Sequence, residues 1–386
     1  MKCLFINIFI MSLIYKWLQI WLIIQCLTTN IFGQKCDPTI DYNQIRNDIV
    51  ELLGNRTDNQ LFLLGSQHDH LENTGVIEFM IFEELNKKYK QVHLINEFCF
   101  SKSFLINNYL QTGDSTIFKT KYRIADWYRE YIQSLKSIYD NSEYKFEIIG
   151  VDIDYNFTFE TQLALRDLCH KAGVYQTDIK YTDAFNTFLS LINVVRELKN
   201  VRRCSRKRLY KVSKILMEEE QEYYQQLFGK DYSIVVQIIQ DLHLGFELRK
   251  DYIGQTRENI ITERLKEILI NNPNFKYFAV YGNGHVNKSL DKKRFTSFAT
   301  QLHSDGFKVF SGYRLYSYNK KEKDMSFKAF SDWIHFLYNI SDTDSLNFLK
   351  EYFQKDINLI IKSPEPYIEG VDFILFLNRP IPYLSD

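Results

Sequence analysis

LFLLGSQHDH, Leu61 to His70, runs four apolar residues into Gly65 and then sets His68, Asp69 and His70 just beyond it. A short unbroken apolar run reads as a strand covered on both faces. Two imidazoles flanking a carboxylate at its end are either a polar turn or a reactive group presented at the edge of a sheet. The segments that follow narrow the choice. NTGVIEFMIFEELNKKY, from Asn73, has helical apolar spacing and a cap at Asn73 or Thr74. QVHLINEF is a strand ending at Glu97, RIADWYREYIQSLKSIY is helical, and KFEIIGVDID is a buried strand ending at Asp152 and Asp154. Helix and strand thus alternate over residues 76–150, which predicts βαβ units and a parallel sheet.

The pattern then breaks. From Thr161 to Asn272 the chain carries long amphipathic helices and hardly a strand signal, so a helical insertion is expected at about 161–253. NFKYFAVYGNGHV and GFKVFSGYRLYSYN restore strand character, and a helix (SLNFLKEYFQK) and a late strand (DFILFLN) close the chain. The expected fold is α/β, a mixed, mainly parallel sheet flanked by helices, with the insertion over its carboxyl edge as a lid.

A chain of 386 residues, 45% hydrophobic and 16% aromatic, is long enough to bury a sizeable core. Residues 1–33 contain Lys2 and Lys16 but no acid, and WLQIWLIIQCL forms an apolar block before TTNIFG. This reads as a signal peptide ending near Gly33, with a retained anchor as the competitor and Met11 as an alternative start. The mature chain, a single domain over 34–386, is then secreted or periplasmic, without stable membrane insertion. The leader takes two lysines from a balance of 48 basic and 48 acidic residues, which gives nucleic acid little to bind. Cys36, Cys99, Cys169 and Cys204 remain, none spaced as C-x-x-C, so one or two disulfides are compatible with an oxidising compartment. Sequons begin at Asn55, Asn156, Asn287 and Asn339. The basic run from Lys199 to Lys211 places Arg202/Arg206 and Arg203/Lys207 at i,i+4, a solvated helix face more readily than a phosphate site.

Four polar signals end apolar strands: His68-Asp69-His70, Glu97, Asp152 and His285. In a parallel sheet those ends share one edge, where ligands collect. One such residue is ordinarily a turn; four in the same placement point to a site. Arg257 lies one turn before Ile261 on the stripe marked by Ile261, Leu265 and Ile268. It either snorkels outward or turns its guanidinium into a cleft. No G-x-S-x-G elbow, H-E-x-x-H or P-loop is present, and GNGHVN breaks the dinucleotide fingerprint. What remains is equipment for activating water or holding a metal.

LGSQHDH, INEFCFSKSFLINNYLQTGD, IIGVDID, TRENI and YGNGHV follow, in order, the motifs of the erythromycin-esterase-like family, a branch of the group that includes ChaN-like haem-uptake and Tiki/TraB proteins. The resemblance spans roughly residues 60–290. It implies catalytic roles for His68 as general base, for Glu97, for Arg257 and for His285, with Asp69, His70 and Asp152 in support. Two departures stand out: Ser66 where the family usually has glutamate, and Asn287 or Lys288 where the esterases tend to carry a further histidine. The favoured reading is a hydrolase acting on an ester, lactone or related bond of a small molecule, without a cofactor. In that reading Glu97 orients His68 or shares its role, and Arg257 and His285 stabilise the oxyanion. The rivals are a metal-dependent peptidase with His68, Glu97 and His285 as ligands, and a non-catalytic haem- or ligand-binding protein.

Overall fold

The computed structural model describes residues 42–54, 56–66, 75–118, 126–154, 159–176, 180–193, 203–248, 254–288, 291–292, 295–316, 344, 347, 349–350, 359–362 and 370–377. The expected leader, the His68-Asp69-His70 motif and most of the expected tail helix lie outside these residues.

Strand β1, Leu61–Ser66, is buried at every position. Phe62 and Leu64 pack into one core and Leu61 and Leu63 into the other. With a hydrophobic layer on each face, an apolar residue is needed at every step, which explains the unbroken run. Helix α1, Tyr42–Leu53, precedes it. Helix α2, Gly75–Lys88, leads to strand β2, Val92–Cys99, and helix α3, Phe100–Thr112. Helix α4, Asp126–Asn141, leads to strand β3, Ile148–Asp152.

Five helices then fill the stretch without strand signal. They are α5 (Phe159–Lys171), α6 (Asp183–Asn193), α7 (Arg203–Glu218), α8 (Gln221–Phe228) and α9 (Tyr232–Glu247). Their own core is aromatic: Phe185 meets Phe188, Tyr224 and Phe228. Lys207, Arg208 and Lys211 of the basic run are exposed on α7, as a solvated face requires.

Helix α10, Gln255–Asn271, returns the chain to the sheet as strand β4, Lys276–Gly282, followed by the single turn α11, Asn283–Val286. The buried stripe of α10 runs through Arg257, Glu258, Ile261, Thr262, Leu265 and Leu269, so Leu269 takes the place expected of Ile268. Strands β5 (Asp291–Lys292) and β6 (Phe295–Thr296) form a separate antiparallel pair. Helix α12 (Phe298–Ser304), strand β7 (Val309–Tyr316) and strands β8 (Leu359–Lys362) and β9 (Phe373–Leu377) complete the described chain.

The sheet has seven strands in the order β3-β2-β4-β1-β7-β9-β8. Every neighbouring pair is parallel except β8, which runs antiparallel to β9. The mixed, mainly parallel α/β sheet is therefore the one the sequence predicts, with the carboxyl ends of β1, β2, β3 and β4 on a common edge. Helix α9 reaches that edge beside β2 and β3 through Asp241, described below. Among the described residues no helix is long and apolar enough to cross a membrane.

Gly65 sits within β1 and not in a turn beyond it, and a Cβ there would fall 1.9 Å from Asn283 Oδ1. Space, not a turn, demands glycine here. Cys99 and Cys169 are free and buried, so neither joins a disulfide. Asn287 is buried and donates to Tyr313 Oη at 2.5 Å, which leaves that sequon no room for a glycan in the folded chain.

Candidate functional site

Glu97 owes its direction to an irregularity in β2. Asn96 pairs with Gly150 and Cys99 with Asp152, so β2 holds one more residue than β3 across this interval. A bulge of this kind re-aims a side chain at the end of a strand. Glu97 thereby meets Arg257, whose Nη2 donates to Glu97 Oε1 at 2.6 Å. The same guanidinium donates through Nε to Asp152 Oδ1 at 3.0 Å and through Nη2 to Asp152 Oδ2 at 2.5 Å. Two nitrogens on two carboxylate oxygens is the fork geometry that suits arginine and that lysine cannot reproduce. Asp152 is nearly enclosed, but the Glu97 side chain keeps 25% of its surface, so the network opens to solvent on the Glu97 side. Arg257 has turned into the protein.

The next residue of α10 makes a second pair. Glu258 is 1% exposed; its Oε1 lies 2.7 Å from His285 Nδ1, and its Oε2 accepts from the backbone N–H of Phe298 at 2.9 Å. That N–H opens α12 and has no partner within its own helix, so the carboxylate also satisfies a helix start. His285 stacks on Phe295 at 5.4 Å and, further off, on Phe298. The Glu258 carboxylate lies against the Nδ1 edge of the ring, which leaves Nε2 as the nitrogen that can meet a substrate.

Tyr281 joins the two pairs. Its ring lies 6.1 Å from that of His285, and its hydroxyl donates to the Asn96 carbonyl at 3.4 Å. Burial pushes its phenol well above the ordinary range; Asp152 and Glu97 add to this and Arg257 opposes it. Close by, burial pushes the Cys99 thiol up to about 12, which removes it as a thiolate nucleophile at neutral pH. Lys102 sits with its Nζ 3.9 Å from the Phe98 ring centre; burial pulls its pKa down, against Glu160 first.

A third charged pair lies further along the edge. Arg314 of β7 is fully buried, with Nη2 2.8 Å from Glu78 Oε1 and Nε donating to the Gly65 carbonyl at 3.1 Å. Asn283 brackets it, donating to the Arg314 carbonyl at 2.9 Å and accepting from its N–H at 3.3 Å. This arrangement pins the end of β1 and the start of α2, the two ends of the segment that carries His68.

Of the residues expected from sequence, Glu97, Asp152, Arg257 and His285 reach the same edge, the first three in direct contact and His285 through Glu258 and Tyr281. His68, Asp69 and His70 lie outside the described residues. Sequence reasoning missed Glu258, Arg264, Asp241 and Arg314. Glu258 did leave a signal, since it stands on the same stripe as Ile261 and Leu265.

Glu97 and Asp152 both face the Arg257 guanidinium, so a cation placed between them would compete with Arg257 for the two carboxylates. Among the described residues no group of three or more His, Cys, Asp or Glu is gathered as a ligand set.

No protein-family model matches the chain, and no curated protein matches its sequence. Solved structures do. A Bacillus cereus protein determined as a structural-genomics target superposes with a TM-score of 0.55 at 13% identity, over 90% of this chain and 95% of the other. A histidine-to-asparagine mutant of erythromycin esterase EreC, in its open conformation, superposes with a TM-score of 0.55 at 10% identity, over 90% and 96%. At such identities the likeness is one of architecture. The fold that the five sequence motifs pointed to is the fold the chain has: that of an erythromycin esterase.

Proposed function

We propose that the protein is an exported hydrolase that directs an activated water at an ester, lactone or related bond of a small molecule. The observation that carries this reading is the Glu258–His285 pair beside the Glu97–Arg257–Asp152 network, both at the carboxyl edge of an erythromycin-esterase fold. His68 takes a proton from the attacking water, as the motif resemblance implies. His285, with Glu258 against its Nδ1, presents Nε2 to the site; as the imidazolium it gives the Nε2 proton to the leaving group, while the proton His68 took from water passes to solvent, from which His285 is recharged. Arg257 holds Glu97 in place and sets a positive charge where negative charge develops on the carbonyl oxygen. The helices of the insertion cover the edge and govern access to it.

A panel of simple esters and lactones, offered to the purified mature chain, tests the reading. His285→Asn is expected to lower turnover by roughly 10²–10⁴-fold, the range for losing an acid–base group. Wild-type activity is expected to survive exhaustive chelation. Loss on chelation that returns with added metal would hand the site to the metallopeptidase reading. No turnover on any substrate, with a Soret band on adding haemin, would make it a haem-binding site.

A further inference from the structure

Arg264 lies two turns after Arg257 on α10, and both arginines grip the end of β3. Arg257 holds the Asp152 side chain; Arg264 holds the main chain beneath it, its Nη1 donating to the carbonyls of Val151 at 3.2 Å and Asp152 at 3.1 Å. The other end of Arg264 leaves the α/β core. Its Nη2 donates to Asp241 Oδ1 at 2.5 Å, and Asp241 belongs to α9, the last helix of the insertion. Asp241 is 2% exposed, and its Oδ2 accepts from the Phe100 N–H, the first of α3, at 3.4 Å. One buried carboxylate of the insertion therefore touches the start of the helix that follows Glu97 and the arginine that fixes the end of the strand carrying Asp152.

Taking an ion pair out of water is costly, and apolar residues of similar volume would dock α9 on α3 and α5 at least as well. What the pair supplies is geometry. We infer that Asp241 and Arg264 are positioning residues: with α9 docked, the Asp241–Arg264 pair fixes the Asp152 main chain, and through it the orientation of Arg257 toward Glu97. The insertion then sets the state of the site from behind, in addition to covering it. The inference deepens the hydrolase reading and rests on it for its catalytic consequence, although the coupling itself is a structural claim.

The test separates the two. In the full mature chain labelled with ¹⁵N-arginine, the Nε–H of Arg257, held by Asp152, is expected to give a sharp signal protected from exchange. Asp241→Asn is expected to broaden it or raise its exchange rate at least 10-fold, with the far-ultraviolet spectrum unchanged. On any ester the wild type hydrolyses, kcat is expected to fall about 10–100-fold with KM little altered, the range for losing a supporting partner of a site residue. Arg264→Lys keeps a charge opposite Asp241 but cannot reach both carbonyls, and is expected to free Arg257 in the same way. An unchanged Arg257 signal in a folded variant overturns the inference, and so does failure of both variants to fold, which makes the pair a matter of stability alone. If the wild type hydrolyses no ester, the hydrolase reading falls while the arginine signal still decides the coupling.

Discussion

Two arginines stand buried at the same sheet edge, and their surroundings differ. Arg314 has no exposed surface and, among the described residues, meets the nearly enclosed carboxylate of Glu78 together with the main chain of Gly65. Arg257 meets two carboxylates, one of which keeps a quarter of its side chain in solvent. A sealed pair can only hold elements together, whereas a pair with an open carboxylate can also meet a ligand. Burial of charge alone therefore does not identify a site; the exposure of its partner does.

The comparison breaks first at Arg314. Arg314→Met leaves Glu78 charged and unpaired in the core, and is expected to cost about 3–5 kcal/mol of stability by urea unfolding. Adding Glu78→Met should recover most of that loss, because an apolar pair replaces the ionic one. A double variant as unstable as the single would show that the pair does more than neutralise itself. The same bracket sharpens the comparison at Gly65. Gly65→Ala drives a Cβ into Asn283, which ties β4 to β7, and is expected to cost about 1–3 kcal/mol as overpacking. Neutral behaviour in thermal unfolding would mean that Asn283 can move aside.

The smallest effect lies in the insertion. His243 of α9 meets Ser213 Oγ through Nε2 at 2.7 Å, and its ring lies tilted against that of Tyr210 with centroids 4.7 Å apart. Burial lowers its pKa below the ordinary histidine value; Glu247 and Glu218 oppose this and Lys214 assists it. With the folded pKa below the unfolded one, the unfolded chain takes up the proton first. The contribution of His243 is then fully present above about pH 6.5, the unfolded value, and is lost as pH falls through the folded one. Hydrogen-exchange protection in α7 and α9, taken relative to the intrinsic rate at each pH, should fall between pH 7 and 5, and less so in His243→Gln. Acid loosening of equal size in the variant would assign the effect to other groups.

How much of this was legible follows from the same physics. Strands β1 to β4 could be read because a strand covered on both faces must be apolar throughout, and LFLL and FAVY announce it. The order β3-β2-β4-β1 could not, since β4 enters between β2 and β1 through contacts with segments more than a hundred residues away. The four residues of β8 were too few to show a period, and α1 went unread although Ile45, Ile49, Leu52 and Leu53 give it a buried face. Site residues ending strands were visible because a polar side chain there interrupts an apolar run. Glu258 and Asp241 sit inside helices, where a single charge on or beside the apolar stripe does not stand out as it does at a strand end. Only their spacing to Ile261 and to Ile238 and Leu242 places them inward.

The central claim is that the network at Arg257 does chemistry while the pair at Arg314 holds the fold. Turnover per folded molecule on a wild-type ester substrate, compared between Arg257→Lys and Arg314→Lys, tests it directly. Lysine keeps the charge and loses the fork in both. The expected result is a loss of roughly 10²-fold or more for Arg257→Lys, the size of one lost transition-state donor, and near wild-type turnover for whatever Arg314→Lys remains folded. Equal losses, or a larger loss at Arg314, would contradict the account.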